Sequence, residues 1–115
     1  MREPVRDPGR LEHMLVAIDN VHEFLEGKTC EDLCKDKLLF FGVVKNIEIV
    51  GEAANNLTKE LQAQHPEVCW KDVIGMRHVL VHDYYNIDAQ TAWQTAQDNL
   101  PSLRVQIENI LKSLR

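Results

Sequence analysis

Several things are missing from these 115 residues, and each absence removes a class of protein. No apolar run approaches the roughly 18 residues that a membrane-spanning helix needs, and the first eight residues carry no apolar core of a secretory leader. A non-membrane, non-secreted chain is expected. The three cysteines, Cys30, Cys34 and Cys69, are an odd set without a CxxC pair, which suits a reduced cytoplasm better than a disulfide framework. Cys30 and Cys34 stand one helical turn apart, yet no further ligands present themselves for a metal. There is no His-Glu-x-x-His motif and no Glu-x-x-His pairing of a di-iron bundle. Gly27-Lys28-Thr29 imitates the end of a phosphate-binding loop, but position 22 is histidine where that loop needs glycine. No metal and no nucleotide cofactor are expected. A basic balance is lacking too: the net charge is −5, so a broad, sequence-independent nucleic-acid surface is disfavoured and any RNA site must be a local pocket or form on assembly.

What is present is helical periodicity. The length suits one domain, over 1–115, and nothing alternates as strands do. Asp7-Pro8 reads as an N-cap with proline at the first helical position, followed by Leu11, Met14, Ile18, Val21 and Leu25 up to Gly27 as the C′ residue. A second helix is expected to start near Thr29, where Thr29-Cys30-Glu31-Asp32 resembles a capping box, and to end before Pro66. Phe40, Val43, Ile47, Val50, Ala54, Leu57 and Leu61 make its seam. A third helix is expected over 70–81, with Val73, Met76 and Leu80 inward. Asp88 then caps a last helix bearing Trp93, Ala96, Leu100, Leu103, Ile107, Ile110 and Leu114, kinked near its middle by Pro101. Long helices with 3-4 seams and short connectors predict an all-α antiparallel bundle of about four main helices. The second helix also carries Leu38, Leu39, Phe41, Val44, Ile49 and Ala53 off its seam, either as a subunit interface or as the coat of a central helix.

The densest chemistry lies in Gly75-Met76-Arg77-His78-Val79-Leu80-Val81-His82-Asp83-Tyr84-Tyr85. Arginine is a permanent planar cation suited to phosphate, and histidine titrates nearest neutrality. On a straight helix Arg77 and His82 would lie about 140° apart, so they meet only if the helix ends near residue 81 or a symmetric partner supplies a second set. Otherwise both are ordinary surface residues. Glu52 either pairs with Arg77, orienting the guanidinium, or is a solvated carboxylate. His78 is either a second proton carrier or a packed histidine, the packed role being preferred.

The order Arg77, four residues, His82, one residue, Tyr84 resembles the R-x-x-x-x-H-x-Y signature of HepT-like toxins in the HEPN superfamily. Ile49-Val50-Gly51-Glu52-Ala53 is similar to the family's I-G-E-A stretch, and Trp70-Lys71-Asp72-Val73-Ile74-Gly75-Met76-Arg77 to its approach to the motif. The likeness runs from 11 to 111. It implies a metal-independent endoribonuclease acting as a homodimer, with Arg77 holding the scissile phosphate and His82 exchanging protons. It also implies an antitoxin of the MNT nucleotidyltransferase class that transfers AMP to Tyr84. The histidine at position 78, where the family often has a small polar residue, is a departure. The alternative is a non-catalytic subunit that presents a substrate or docking surface to such a nucleotidyltransferase. A blander third possibility is a helical interaction module with no site.

Overall fold

The computed structural model describes residues 6–78 and 88–115, and all the regular structure there is helical. In chain order the elements are α1 (Asp7–Leu25), α2 (Cys30–Lys35), α3 (Lys37–Asn55), α4 (Lys59–Gln64), α5 (Trp70–Gly75), α6 (Ala89–Gln94), a π-helical turn (Thr95–Asn99) and α7 (Leu100–Ser113). α1 lies along α3 and α7, α5 packs on α3, and α2 bridges α3 and α6. The seams of α1 and α3 are buried as their spacing predicts: Leu11, Met14, Phe40, Val43, Ile47 and Val50 are each essentially closed to solvent.

The local signals decide where most helices start and stop. Gly27 takes a φ of 74° with nothing near the place of a Cβ, so its role at the end of α1 is conformational. The Thr29–Asp32 capping box forms in both directions, at 2.9 and 3.1 Å. Asp88 caps α6 through the Thr91 N–H and hydroxyl. Pro101 has no N–H to offer Gln97 and its ring would strike that carbonyl. The chain answers by widening into the π turn, where the Leu100 N–H reaches back to the Thr95 carbonyl.

Three expectations need correction. The single helix from Thr29 to Pro66 is three helices, because two capping side chains interrupt it. Asp36 takes an extended conformation and accepts from the Leu39 N–H at 3.1 Å, starting α3 afresh. Thr58 does the same for α4 through the Leu61 N–H at 3.2 Å. Next, Asp7 is the first residue of α1 and not its N-cap; Arg6 caps, without a side-chain bond. The Asp7 carboxylate is drawn instead to Thr58, accepting from its N–H at 3.0 Å and its hydroxyl at 2.6 Å. Last, the helix expected over 70–81 is regular only to Gly75, where glycine weakens a helix by about 1 kcal/mol and a tighter turn takes over. Leu80 lies outside the described residues.

The off-seam apolar residues of α3 divide. Val44 and Ala53 are buried by the chain's own neighbours, whereas Leu38 is 87% exposed and Phe41 47%. On the neighbouring α1, Val16 and Phe24 are exposed as well.

Candidate active site

The turn that follows α5 is built by α3. Its backbone N–H groups bond three residues back, Met76 to Val73 at 3.1 Å, Arg77 to Ile74 at 3.3 Å and His78 to Gly75 at 3.0 Å. Facing it on α3 is Gly51. A Cβ at that position would stand 2.6 Å from the Arg77 backbone nitrogen and 3.1 Å from both the Arg77 Cβ and the Ile74 carbonyl oxygen. Only glycine allows the two backbones to come this close, so residue 51 sets the depth at which Arg77 is seated. Gly51 stands inside the family-like stretch 49–53, and spacing alone gives it no role. The available signal was a glycine within an apolar helical run, where it costs about 1 kcal/mol relative to alanine unless close packing requires it.

From that seat the Arg77 side chain reaches Glu52, with Nη1 3.7 Å from Oε2. The pairing anticipated for these two residues is therefore present, but loose. The distance exceeds that of a charge-assisted hydrogen bond, and the Glu52 side chain is 61% exposed, so water screens the attraction to well under about 1 kcal/mol. Meanwhile Arg77 Nε is buried and has no hydrogen-bond partner among the described residues. With the side chain 29% exposed and only a loose ion pair among the described residues, the guanidinium keeps donors for an anion.

His78 lies in the same turn and is exposed, which corrects its reading as a packed histidine. Its ring makes no ion pair or hydrogen bond with another described residue. His82 and Tyr84 fall outside the described residues. Thus the fold brings Glu52 to Arg77 and puts His78 one residue further along the turn. Among the described residues no three His, Cys, Asp or Glu side chains gather as a metal site. None of the described helices is long and apolar enough to cross a membrane.

A more closely made ion pair lies elsewhere. Arg104 on α7 holds Asp19 on α1 with two bonds, Nε to Oδ1 at 2.6 Å and Nη2 to Oδ2 at 3.2 Å, and reaches Glu108 at 2.9 Å. The Arg104 hydrogen bond holds the Asp19 carboxyl below its ordinary range. This pair ties two helices together; it is not part of the turn at Arg77.

Comparison with known proteins agrees with what the residues suggest. Residues 14–110 match the family described as "Ribonuclease HepT-like". A protein named "Putative RNase" from Caldanaerobacter subterraneus subsp. tengcongensis is 37% identical over 102 residues, covering 89% of this chain and 91% of its own length. A "Probable ribonuclease HepT" from Thermococcus cleftensis is 34% identical over 102 residues, covering 89% and 93%. No solved structure is a significant match. With the family match spanning most of the bundle, including the α3 glycine and the arginine it seats, this chain belongs to the HepT-like ribonuclease family.

Proposed function

We propose that the chain cleaves RNA without a metal ion, as a homodimer, and is the toxin of a pair whose antitoxin is an MNT-class nucleotidyltransferase. The observation that carries the reading is the seat of Arg77: a cation positioned by a backbone contact at Gly51, buried at Nε without a partner among the described residues and only loosely paired to Glu52. Such a guanidinium suits a phosphodiester, whose oxygens gain negative charge as the reaction proceeds. His82 is assigned the proton transfers. It takes the proton of the attacking ribose 2′-hydroxyl as that oxygen bonds to phosphorus, and returns it to the 5′-oxygen as the phosphorus–5′-oxygen bond breaks. The products are a 2′,3′-cyclic phosphate and a free 5′-hydroxyl, with no other reactant required.

The homodimer rests on the exposed apolar side chains shared by α1 and α3, namely Val16, Phe24, Leu38 and Phe41. A twofold axis through that face repeats one patch on both subunits and would bring two Arg77 turns towards a common cleft. Light scattering at micromolar concentration tests it; a monomer mass overturns it. Tyr84 is assigned as the acceptor of AMP. Each AMP would add bulk and a negative phosphodiester where the substrate's phosphate must sit, and so compete for Arg77. Intact-mass analysis after co-expression with the nucleotidyltransferase is expected to show AMP-sized increments that vanish in Tyr84→Phe and persist in Tyr85→Phe.

The decisive assay is cleavage of single-stranded RNA in EDTA. Arg77→Ala and His82→Ala are each expected to lower the rate by about 10² or more while circular dichroism shows an intact helical fold. The net charge of −5 favours a second reading, a non-catalytic subunit that presents a surface to the nucleotidyltransferase. Equal residual cleavage in the wild type and the double variant would support it.

A further inference from the structure

A depression of about 310 Å³ opens between α5 and the π turn. Its apolar floor includes Ile47 from α3 and Met76, the residue immediately before the arginine. Its rim is polar and open to solvent. Among the described residues Lys71 makes no ion pair and the side chains of Thr95 and Asn99 make no hydrogen bond, although all three line the opening. Asp72 also lines the rim and, among the described residues, accepts a bond from the Cys69 thiol at 3.1 Å.

Two features of the chain produce this opening. Gly75 has no side chain to fill it, and a Cβ there would meet nothing within 4 Å. Unlike Gly51, then, Gly75 is not demanded by close packing. The π turn forced by Pro101 brings Thr95 and Asn99 onto one side, facing α5. Short π segments recur at functional sites because they re-aim side chains out of the regular helical order.

The chemistry of the rim selects the occupant. A free phosphate would pair with Lys71 but leave the apolar part of the depression unfilled. A purely apolar side chain would leave the Asn99 amide and the Thr95 hydroxyl unpaired. A nucleobase satisfies both parts: its face takes apolar contact from the adaptable thioether of the half-buried Met76, and its edge offers donors and acceptors. An asparagine amide both donates and accepts, which matches such an edge. The volume lies at the low end for ligand pockets, about 300 Å³ and upward, which suits one base better than a folded peptide segment.

We propose that this depression receives one nucleobase of the RNA strand beside the scissile phosphate, with Asn99 and Thr95 on the base edge and Lys71 on the adjoining phosphate. It rests on the reading that Arg77 holds the scissile phosphate, and it makes the pocket the source of base preference. Asp72 adds a direction: its remaining acceptor capacity favours a base with an exocyclic amino group over uracil.

The test uses a short, fluorescently labelled 2′-O-methyl RNA, which lacks the attacking hydroxyl and so binds without being cut. Gly75→Leu fills the depression, Lys71→Ala removes the cation and Asn99→Ala removes the amide. Each is expected to weaken binding roughly tenfold, the loss of one or two hydrogen bonds or the matching contact, with circular dichroism and melting showing an intact fold. An abasic residue stepped along the strand should cost the wild type a similar factor at one position, and cost Gly75→Leu nothing more. Wild-type affinity in Gly75→Leu and Asn99→Ala, or indifference of the wild type to every abasic position, overturns the pocket. Cleavage of ordinary RNA separates it from the reading of Arg77. Arg77-dependent cleavage with an unchanged pattern in Asn99→Ala sinks the pocket alone; base-dependent binding without Arg77-dependent cleavage sinks the reading of Arg77 and leaves the pocket standing.

Discussion

Replacing Gly51 by alanine isolates the contact that seats the arginine. The new Cβ would lie 2.6 Å from the Arg77 nitrogen. An ordinary contact begins near 3.4 Å, so α3 and the turn must separate by about 0.8 Å. The obstructing atoms include backbone, so no rotamer change relieves the clash. Two effects oppose each other in stability. Alanine gains about 1 kcal/mol of helix propensity over glycine, while overpacking at a tight site costs about 1–3 kcal/mol. The net expectation is a destabilisation of about 0–2 kcal/mol, small enough for the variant to fold. Activity should respond far more, because a displacement near 1 Å of a catalytic group lowers a rate by about 10². The contrast is Gly75→Ala, whose Cβ has open space and which should leave stability unchanged or slightly raised. Urea unfolding followed by circular dichroism, paired with RNA cleavage in EDTA, reads both quantities. If Gly51→Ala matches the wild type in activity, the backbone contact does not position Arg77 and the reasoning fails.

Other outcomes follow from the same structure. Thr58→Ala should destabilise the chain by about 1–2 kcal/mol in urea, because it removes both the cap of α4 and the hydroxyl bound by Asp7; an unchanged midpoint would show that the link is not formed in solution. Glu52→Gln should alter stability by less than about 1 kcal/mol, since the pair is exposed and 3.7 Å apart, yet it should tighten RNA binding by removing a negative charge beside Arg77, and weaker binding would count against phosphate at that site. Asp19 titrates below its ordinary value of 3.8 in the folded chain, mainly through its hydrogen bonds from Arg104. Its contribution is thus complete above 3.8 and is lost as pH falls through the lower folded value. The wild type should accordingly exceed Asp19→Asn at neutral pH, by under about 1 kcal/mol given its exposure, and the two should converge in acid; a gap that stays constant with pH would refute the ion pair as its source.

The bundle was legible in the sequence because burial on a helix is periodic. Leu11, Met14, Ile18 and Val21 need only a 3.6-residue repeat to find the core, and they find it. Signals confined to one turn were legible too. Gly27 adopts the positive φ that ends α1, Thr29 and Asp32 bond reciprocally, and Pro101 disturbs the helix it interrupts. Each depends on atoms within a few residues, so no distant partner had to be known. The breaks at Asp36 and Thr58 carried capping residues of their own, but at Thr58 an apolar seam running on to Leu61 hid the interruption.

The site divides along the same line. Residue types marked Arg77 and Glu52 as candidates, and the family likeness joined them to His82 and Tyr84. Whether Glu52 touched Arg77 or faced water depended on how α5 lies on α3, which no spacing within either helix determines. The close approach at Gly51 was likewise invisible, because it involves a backbone 26 residues further along the chain. Asp7 was drawn from its expected capping role by Thr58, 51 residues away. The depression between α5 and the π turn exists only where Lys71, Gly75, Thr95 and Asn99 converge. Periodicity fixes which face of a helix is buried, whereas contacts between helices depend on crossing geometry and on the few small residues that let backbones meet. Those are properties of the packed chain and of no segment taken alone.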